Sequence, residues 1–467
     1  MASGETIGGK LLKPFHRTRT EFDNQRYMHI ARGLATANKL KQYLFVVLVS
    51  SAFWLWLAKD FALSILFGKL ESGSLAITCI TGLGLLFAAG RLTATEPNRT
   101  ASIRLTRSLG WALTFYCYCV FSGILSGDTM FTYFKLVTLL ISIIMAYALA
   151  EKTVQAVMIN MKLFGAIGLL FGFAGFFKFH SELKALSSIS IGLRAHGMAH
   201  LNIQDFYMFI FLFALAIFIL EKISLSSILF LFTAASVSAP MIIALNSRMI
   251  PMTMLITMLY VLVVFRSTLF NSNNRVKIIT LLIGIFFTIV VAVIHMSGSE
   301  TRMAEAYNAG YKNSFSDDPR AISFQVALGN FMDAPALGIG FGKFRFPGIP
   351  VDALDRTAGT WPHNLFLELL SELGITGLLL FAVFLLPLIR KTIAIPTKNQ
   401  TFRVLLPCIF FIYTLATLQL THNLSYPLLW VTIFWCDSIF NRLPKTGRNR
   451  LRLKFDTLRP PPSHAPL

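Results

Sequence analysis

The chain has 467 residues, is 55% hydrophobic and only 14% charged, and has a mean hydropathy of +0.64. Apolar runs of about 20 residues, the length that crosses a bilayer core, recur along it, which excludes a soluble globular protein. The formal net charge of +20 would suit a nucleic-acid-binding protein, but the positions of the charges assign it to membrane topology instead.

In chain order, residues 1–42 are polar and basic and lack a short apolar core with a small-residue cleavage site. The first span is therefore expected to direct insertion itself. Residues 43–296 carry nine predicted spans, at 43–58, 73–90, 109–126, 131–150, 154–177, 205–220, 224–246, 250–265 and 278–296. Residues 297–362 form a polar loop of 66 residues, too long for a simple connector. Within it, DPRAISFQVALGNFMDAP (318–335) has helical apolar spacing, and GIGFGKFRFPGIP (338–350) reads as irregular from its Gly and Pro. Residues 363–440 add spans at 364–389, 402–420 and 424–440, and 441–467 form a basic tail. The expected fold class is an all-α polytopic membrane protein with about 12 transmembrane helices and one large extracytoplasmic loop subdomain.

Loop charge sets the orientation. With the N-terminus in the cytoplasm and the spans alternating, the inside segments, counted with Arg403 at the edge of the span 402–420, hold 28 of the 42 Lys and Arg residues and the outside segments 12; Lys135 and Lys162 fall within spans. Both termini are then cytoplasmic, the basic tails face anionic membrane lipids, and no nucleic-acid partner is expected. The five cysteines (Cys79, Cys117, Cys119, Cys408 and Cys436) lie in or beside apolar segments and read as core thiols.

This topology puts three polar signals on the outside face: IGLRAHGMAHLN (191–202), ALNSRMIP (244–251) and the long loop ending in WPHN (361–364). Arg248 stands almost alone between two apolar spans. It reads either as a turn residue snorkelling to the interface or as a functional cation, and its isolation favours function. Arg194 lies in the first signal. A guanidinium keeps its charge and grips phosphate through two donors. His363 follows Pro362 at the start of a predicted helix; it is either an idle exposed side chain or a general base, since imidazole titrates near neutral pH. Glu368 and Glu372, i and i+4 on one face of that helix, read either as residues that orient a partner or as acids favoured near a helix N-terminus, and the second reading is preferred. His196 and His200 have a metal-pair spacing, but no third ligand has a recognisable spacing, so no metal site and no cofactor is expected. No G-x-S-x-G, P-loop or H-E-x-x-H motif occurs.

HNLFLELLSELGITG, with His363, Asn364, Gly374 and Gly377, resembles the H-[NSQ]-x9-G-x-x-G pattern of the O-antigen ligase family. RAHGMAHLN resembles that family's outside Arg segment, NSRM its Ser–Arg turn, and FMDAPALGIGFGKF its Pro–Leu–Gly–x–Gly element, here with Ala336 between Pro335 and Leu337. The likeness spans roughly 190–380; Met249 stands where a small residue is usual. The resemblance implies an inner-membrane glycosyltransferase with a periplasmic active site and the long loop as its periplasmic roof. It would move a glycan from an undecaprenyl-diphosphate-linked donor to an acceptor hydroxyl, lipid A–core or another glycan, without a metal. It implies His363 as general base and Arg194 and Arg248 on the diphosphate. Arg320, Asn364, His200 and Asn202 are further candidates for substrate contact. An O-antigen or exopolysaccharide polymerase of the same family is the alternative. A transporter or lipid flippase is the alternative of another class, with Lys135 and Lys162 as the obvious cations inside its spans.

Overall fold

The computed structural model of the protein describes residues 36–57, 74–93, 107–127, 130–183, 200–220, 224–244, 249–269, 278–279, 282, 319–345, 362–393, 406–419 and 424–442. These residues form eleven helices and no strand: α1 (Thr36–Leu57), α2 (Ser74–Thr93), α3 (Arg107–Leu125), α4 (Met130–Leu183), α5 (His200–Leu220), α6 (Leu225–Ala244), α7 (Met249–Leu269), α8 (Pro319–Asp333), α9 (Leu365–Ile393), α10 (Leu406–Leu418) and α11 (Pro427–Arg442). Five of them, α1, α3, α4, α6 and α9, are long and apolar enough to cross a bilayer; α2, α5, α7, α10 and α11 contain shorter apolar helices. Phe87, Phe121, Phe134, Phe177 and Phe232 are all exposed. Outward-facing aromatics on helices that are apolar all round fit a lipid surface, not water.

Every predicted span except 278–296 has a helix among the described residues; 278–296 lies almost wholly outside them. Of the long loop, the described part is α8 followed by an irregular stretch to residue 345, as its spacing and its Gly and Pro predicted.

The 54-residue α4 is two helices joined at Asn160, whose φ of −153° and ψ of 93° are not helical. Cross-helix contacts show that the chain reverses there. Along the first arm, Ser142 Oγ donates to the Ser425 carbonyl at 3.1 Å and Tyr147 meets Phe434 at 5.6 Å, so this arm runs parallel to α11. Along the second, Phe164 stacks on Phe213 at 5.5 Å and Gly172 O accepts from Tyr207 at 3.0 Å, so it runs antiparallel to α5. The starts of α5 and α11 lie together, because Tyr426 Oη donates to Asp205 at 2.5 Å. Asn160 caps the second arm by accepting the Leu163 N–H at 3.0 Å. The two predicted spans at 131–150 and 154–177 are therefore separate passes, with the turn at Asn160. Lys162, predicted to lie inside a span, instead sits at this turn and donates to Ser226 beside the start of α6 at 3.2 Å.

The core is aromatic. Phe209 and Phe410 stack at 4.2 Å, and Phe53, Trp54, Phe164, Phe213 and Trp435 pack around them. Gly168 lets the Trp54 ring lie on the second arm of α4: a Cβ there would stand 2.3 Å from it. Small residues that admit close approach are the usual device of helix packing in lipid.

Side-chain bonds gather one set of helix ends. Asp205 near the start of α5 meets Tyr413 on α10 and Tyr426 before α11. Thr253, near the start of α7, bonds Tyr413. Asn364 before α9 meets Gln419 after α10. Lys135 near the start of α4 meets α9. The starts of α4, α5, α7, α9 and α11 thus share one end of the bundle.

Candidate active site

The start of α9 is built from the WPHN segment. His363 has φ of 53°, the one left-handed non-glycine backbone among the described residues. Such a conformation costs about 1–3 kcal/mol and persists where the surroundings hold it. The holding groups follow directly. Asn364 Oδ1 accepts the Leu367 N–H at 3.1 Å and its carbonyl accepts the Glu368 N–H at 2.9 Å, so Asn364 is the helix cap. Its Nδ2 donates to the Gln419 carbonyl at 3.2 Å, tying the cap to the end of α10.

Beyond the cap lies a buried ionic centre. Lys135 Nζ is 2.6 Å from Glu368 Oε1 and 2.6 Å from Glu372 Oε2, and all three side chains are at most 4% exposed. The carboxylates outnumber the ammonium, and backbone donors make up the difference. Leu424 N–H donates to Glu368 Oε2 at 2.8 Å; Gly342 N–H and Phe344 N–H donate to Glu372 at 2.9 and 3.3 Å. The Phe341 ring covers the ammonium at 4.7 Å. Arg345, half-buried nearby, donates to the carbonyls of Gly342 and Phe344 at 2.8 and 2.7 Å. Burial pulls its pKa down from the ordinary value, and the charge of Glu372 acts in the opposite direction. Removing one member of a buried, hydrogen-bonded ion pair costs about 3–5 kcal/mol, because the remaining charge stays buried without its partner.

Two residues past Glu372, α9 breaks. Gly374 has φ of 64° and ψ of −166°, a conformation essentially restricted to glycine. The break frees backbone groups, and the loop after α8 takes them up. Ile339 and Gly340 N–H donate to the carbonyls of Ser371 and Glu372 at 2.9 and 3.0 Å. Ile375 and Thr376 N–H donate to those of Pro335 and Ala336 at 2.9 and 3.3 Å. Tyr118 Oη donates to the Leu373 carbonyl at 3.0 Å. The approach is close enough that a Cβ on Gly374 would lie 2.5 Å from the Ala336 oxygen, and one on Gly338 2.3 Å from the Glu372 carbonyl carbon.

Of the predicted site residues, His363 and Asn364 stand together at the start of α9. His200 and Asn202 lie in the first turn of α5, and Arg320 in the first turn of α8. Arg194 and Arg248 lie outside the described residues, the latter immediately before the start of α7. Glu368 does lie in the first turn of α9, but the simple reading of Glu368 and Glu372 as helix-start acids is incomplete, since both are buried and paired with Lys135. The signal that finds them is two acids, i and i+4, inside an apolar span whose chain offers a lone lysine in another. Asp205 was also missed: it is buried and accepts from Tyr413 at 2.7 Å and Tyr426 at 2.5 Å. Its signal was a carboxylate set within a run of aromatic and aliphatic residues.

A helical membrane protein with a buried ionic centre under one end of its bundle is the class that fold and site define. The sequence model of the O-antigen ligase family matches residues 233–382, and the chain carries that family's domain. The matched stretch runs from α6 into the second half of α9 and includes Arg248, Arg320, the 334–345 loop, His363, Gly374 and Gly377. The match, over about a third of the chain, supports glycan transfer of the ligase or polymerase type, with lipid-linked glycans as the general class of substrate. No curated protein matches the sequence.

Proposed function

We propose that the protein is an O-antigen ligase-like glycosyltransferase of the bacterial inner membrane. It moves a glycan from undecaprenyl diphosphate to a hydroxyl of lipid A–core on the periplasmic side of a bundle of about twelve spans. His363 accepts the proton of the acceptor hydroxyl as its oxygen attacks the anomeric carbon. The bond from that carbon to the diphosphate oxygen breaks, and the lipid diphosphate departs with the bonding pair. Arg194 and Arg248 hold the negative charge it gains, without a metal ion. Attack opposite the leaving group inverts the anomeric centre.

The observation that carries this reading is the setting of His363. The histidine of the family motif occupies a left-handed backbone at the start of a broken helix, at the end of the bundle where α5 and α7 also begin. Arg194 precedes α5 and Arg248 precedes α7 in the chain. Transport finds less support. Lys135 is taken up by two carboxylates, and Lys162 sits at the turn of α4, so neither of the cations on which that reading relied stands free along a path.

The test compares His363→Ala, Arg194→Ala and Arg248→Ala with wild type for transfer from a lipid-diphosphate-linked glycan, at matched membrane abundance. Each is expected to lose at least about 100-fold, the scale of general-base and charge-stabilising contributions. Near-normal transfer by His363→Ala removes it as the base. In cells lacking the protein, glycan chains accumulating on the carrier indicate a ligase, and core bearing one repeat indicates a polymerase.

A further inference from the structure

We propose that Lys135, Glu368 and Glu372 are positioning residues for the transfer step, locking the His363 end of α9 to the 334–345 loop. The proposal rests on the transfer reading above, in which His363 is the base.

Glu372 is the centre of the lock. Its side chain holds Lys135 from α4 and the N–H groups of Gly342 and Phe344, while its carbonyl holds Gly340. Three alternate residues of the loop, Gly340, Gly342 and Phe344, are thereby fixed to one residue of α9. Glu368 stands one turn nearer His363 and shares the same ammonium. It holds Leu424, and Asn364 holds Gln419, so the start of α9 is tied on both sides of the connection between α10 and α11.

The cation comes from outside the family-matched segment. Both carboxylates lie within 233–382, and the residue that neutralises them is on α4, in the N-terminal half. The ligase domain therefore depends on that half for its charge balance, beyond any general packing of helices. Misplacing a catalytic group by about 1 Å costs on the order of 100-fold in rate, so loosening this lock is read in turnover.

Glu372→Gln is the sharpest variant. It leaves Lys135 and Glu368 as a one-to-one pair, so the buried charge is balanced and the protein is expected to insert normally. The amide cannot accept from the ammonium and both loop N–H groups as the carboxylate does. The full-length protein is assayed in membrane vesicles with a lipid-diphosphate-linked glycan and a sugar acceptor. Trypsin is added in parallel at the extracytoplasmic face, and cleavage after Lys343 and Arg345 is followed by peptide mass. The expected result is wild-type abundance, roughly tenfold faster cleavage at those two sites, a fall in kcat of about 10–100-fold, and a donor KM within about threefold of wild type. Glu372→Asp keeps the charge but withdraws the carboxylate by one methylene. It is expected to show the same pattern to a smaller degree, and it carries the test if the glutamine variant fails to insert.

A released loop with unchanged kcat overturns the proposal, as does a fall in kcat with the loop still protected. If wild type transfers no glycan, the transfer reading fails and the positioning role with it. Faster cleavage in Glu372→Gln then shows separately that the lock itself exists.

Discussion

Replacing Gly374 with alanine sets a side chain where neither the backbone angles nor the space admit one. At φ of 64° and ψ of −166° the strain alone is about 1–3 kcal/mol. The new Cβ would also stand 2.5 Å from the Ala336 oxygen and 2.6 Å from Gly338 N. Both are backbone atoms and cannot turn aside, so the loop must withdraw. Withdrawal releases the four backbone bonds between 335–340 and 371–376, each worth about 0.5–1.5 kcal/mol net. The expected loss is about 5 kcal/mol, beyond the range of most single substitutions. Thermal unfolding in mild detergent, followed by tryptophan fluorescence, measures it, with Gly329→Ala as the control of opposite sign. Gly329 lies inside α8, is exposed, and a Cβ there meets nothing within 4 Å; alanine should stabilise that helix by about 0.8–1 kcal/mol. If Gly374→Ala melts within a degree of wild type, the break in α9 is not held by the loop and the account of the site fails with it.

Two further outcomes follow from the same geometry. Tyr426→Phe removes a donor from the buried Asp205 carboxylate, and a bond to a charged group is worth about 1.5–3 kcal/mol. A lowered melting temperature at unchanged membrane abundance is expected, and an unchanged one would show that the carboxylate is satisfied without it. His363→Gly relieves the left-handed backbone, so stability should hold or rise by up to about 1 kcal/mol while transfer is lost. Melting and transfer measured on the same preparation decide this, and a variant that keeps transfer sinks the assignment of the base.

Much of the fold was legible because apolar runs of bilayer length are a strong signal, one that already divided α4 into the two predicted spans 131–150 and 154–177. The reversal at Asn160 was displaced from the predicted 151–153 loop because a single capping side chain and a break in φ and ψ suffice to turn the chain there. Lys162 was misplaced for the same reason. The helix in 318–335 followed from its spacing, and the irregular stretch after it from its glycines. The ionic centre was not legible residue by residue. Glu368 and Glu372 sit where acids commonly favour a helix start, and only tertiary structure shows that Lys135, more than 230 positions away in sequence, comes to rest against them. Arg194 and Arg248 lie outside the described residues, so their part in the site rests on sequence and on the ends of the helices they precede.

The motif's spacing gains a physical meaning from this arrangement. Gly374 lies eleven positions after His363, about three helical turns, or some 16 Å at 1.5 Å per residue. His363 marks the left-handed start, Asn364 the cap and Gly374 the break. The turns between are long enough to bury two carboxylates on one face and short enough that the break still lies within reach of the loop from α8. One residue more or fewer would rotate Glu368 and Glu372 by about 100° relative to the break, turning them from Lys135 or turning the freed carbonyls of Ser371 and Glu372 from Ile339 and Gly340. Gly377 completes the pattern, since a Cβ there would lie 2.2 Å from that of Leu373 across the break. The fixed interval therefore couples the position of the histidine to the docking of the loop, and it does so through backbone geometry before any substrate is bound.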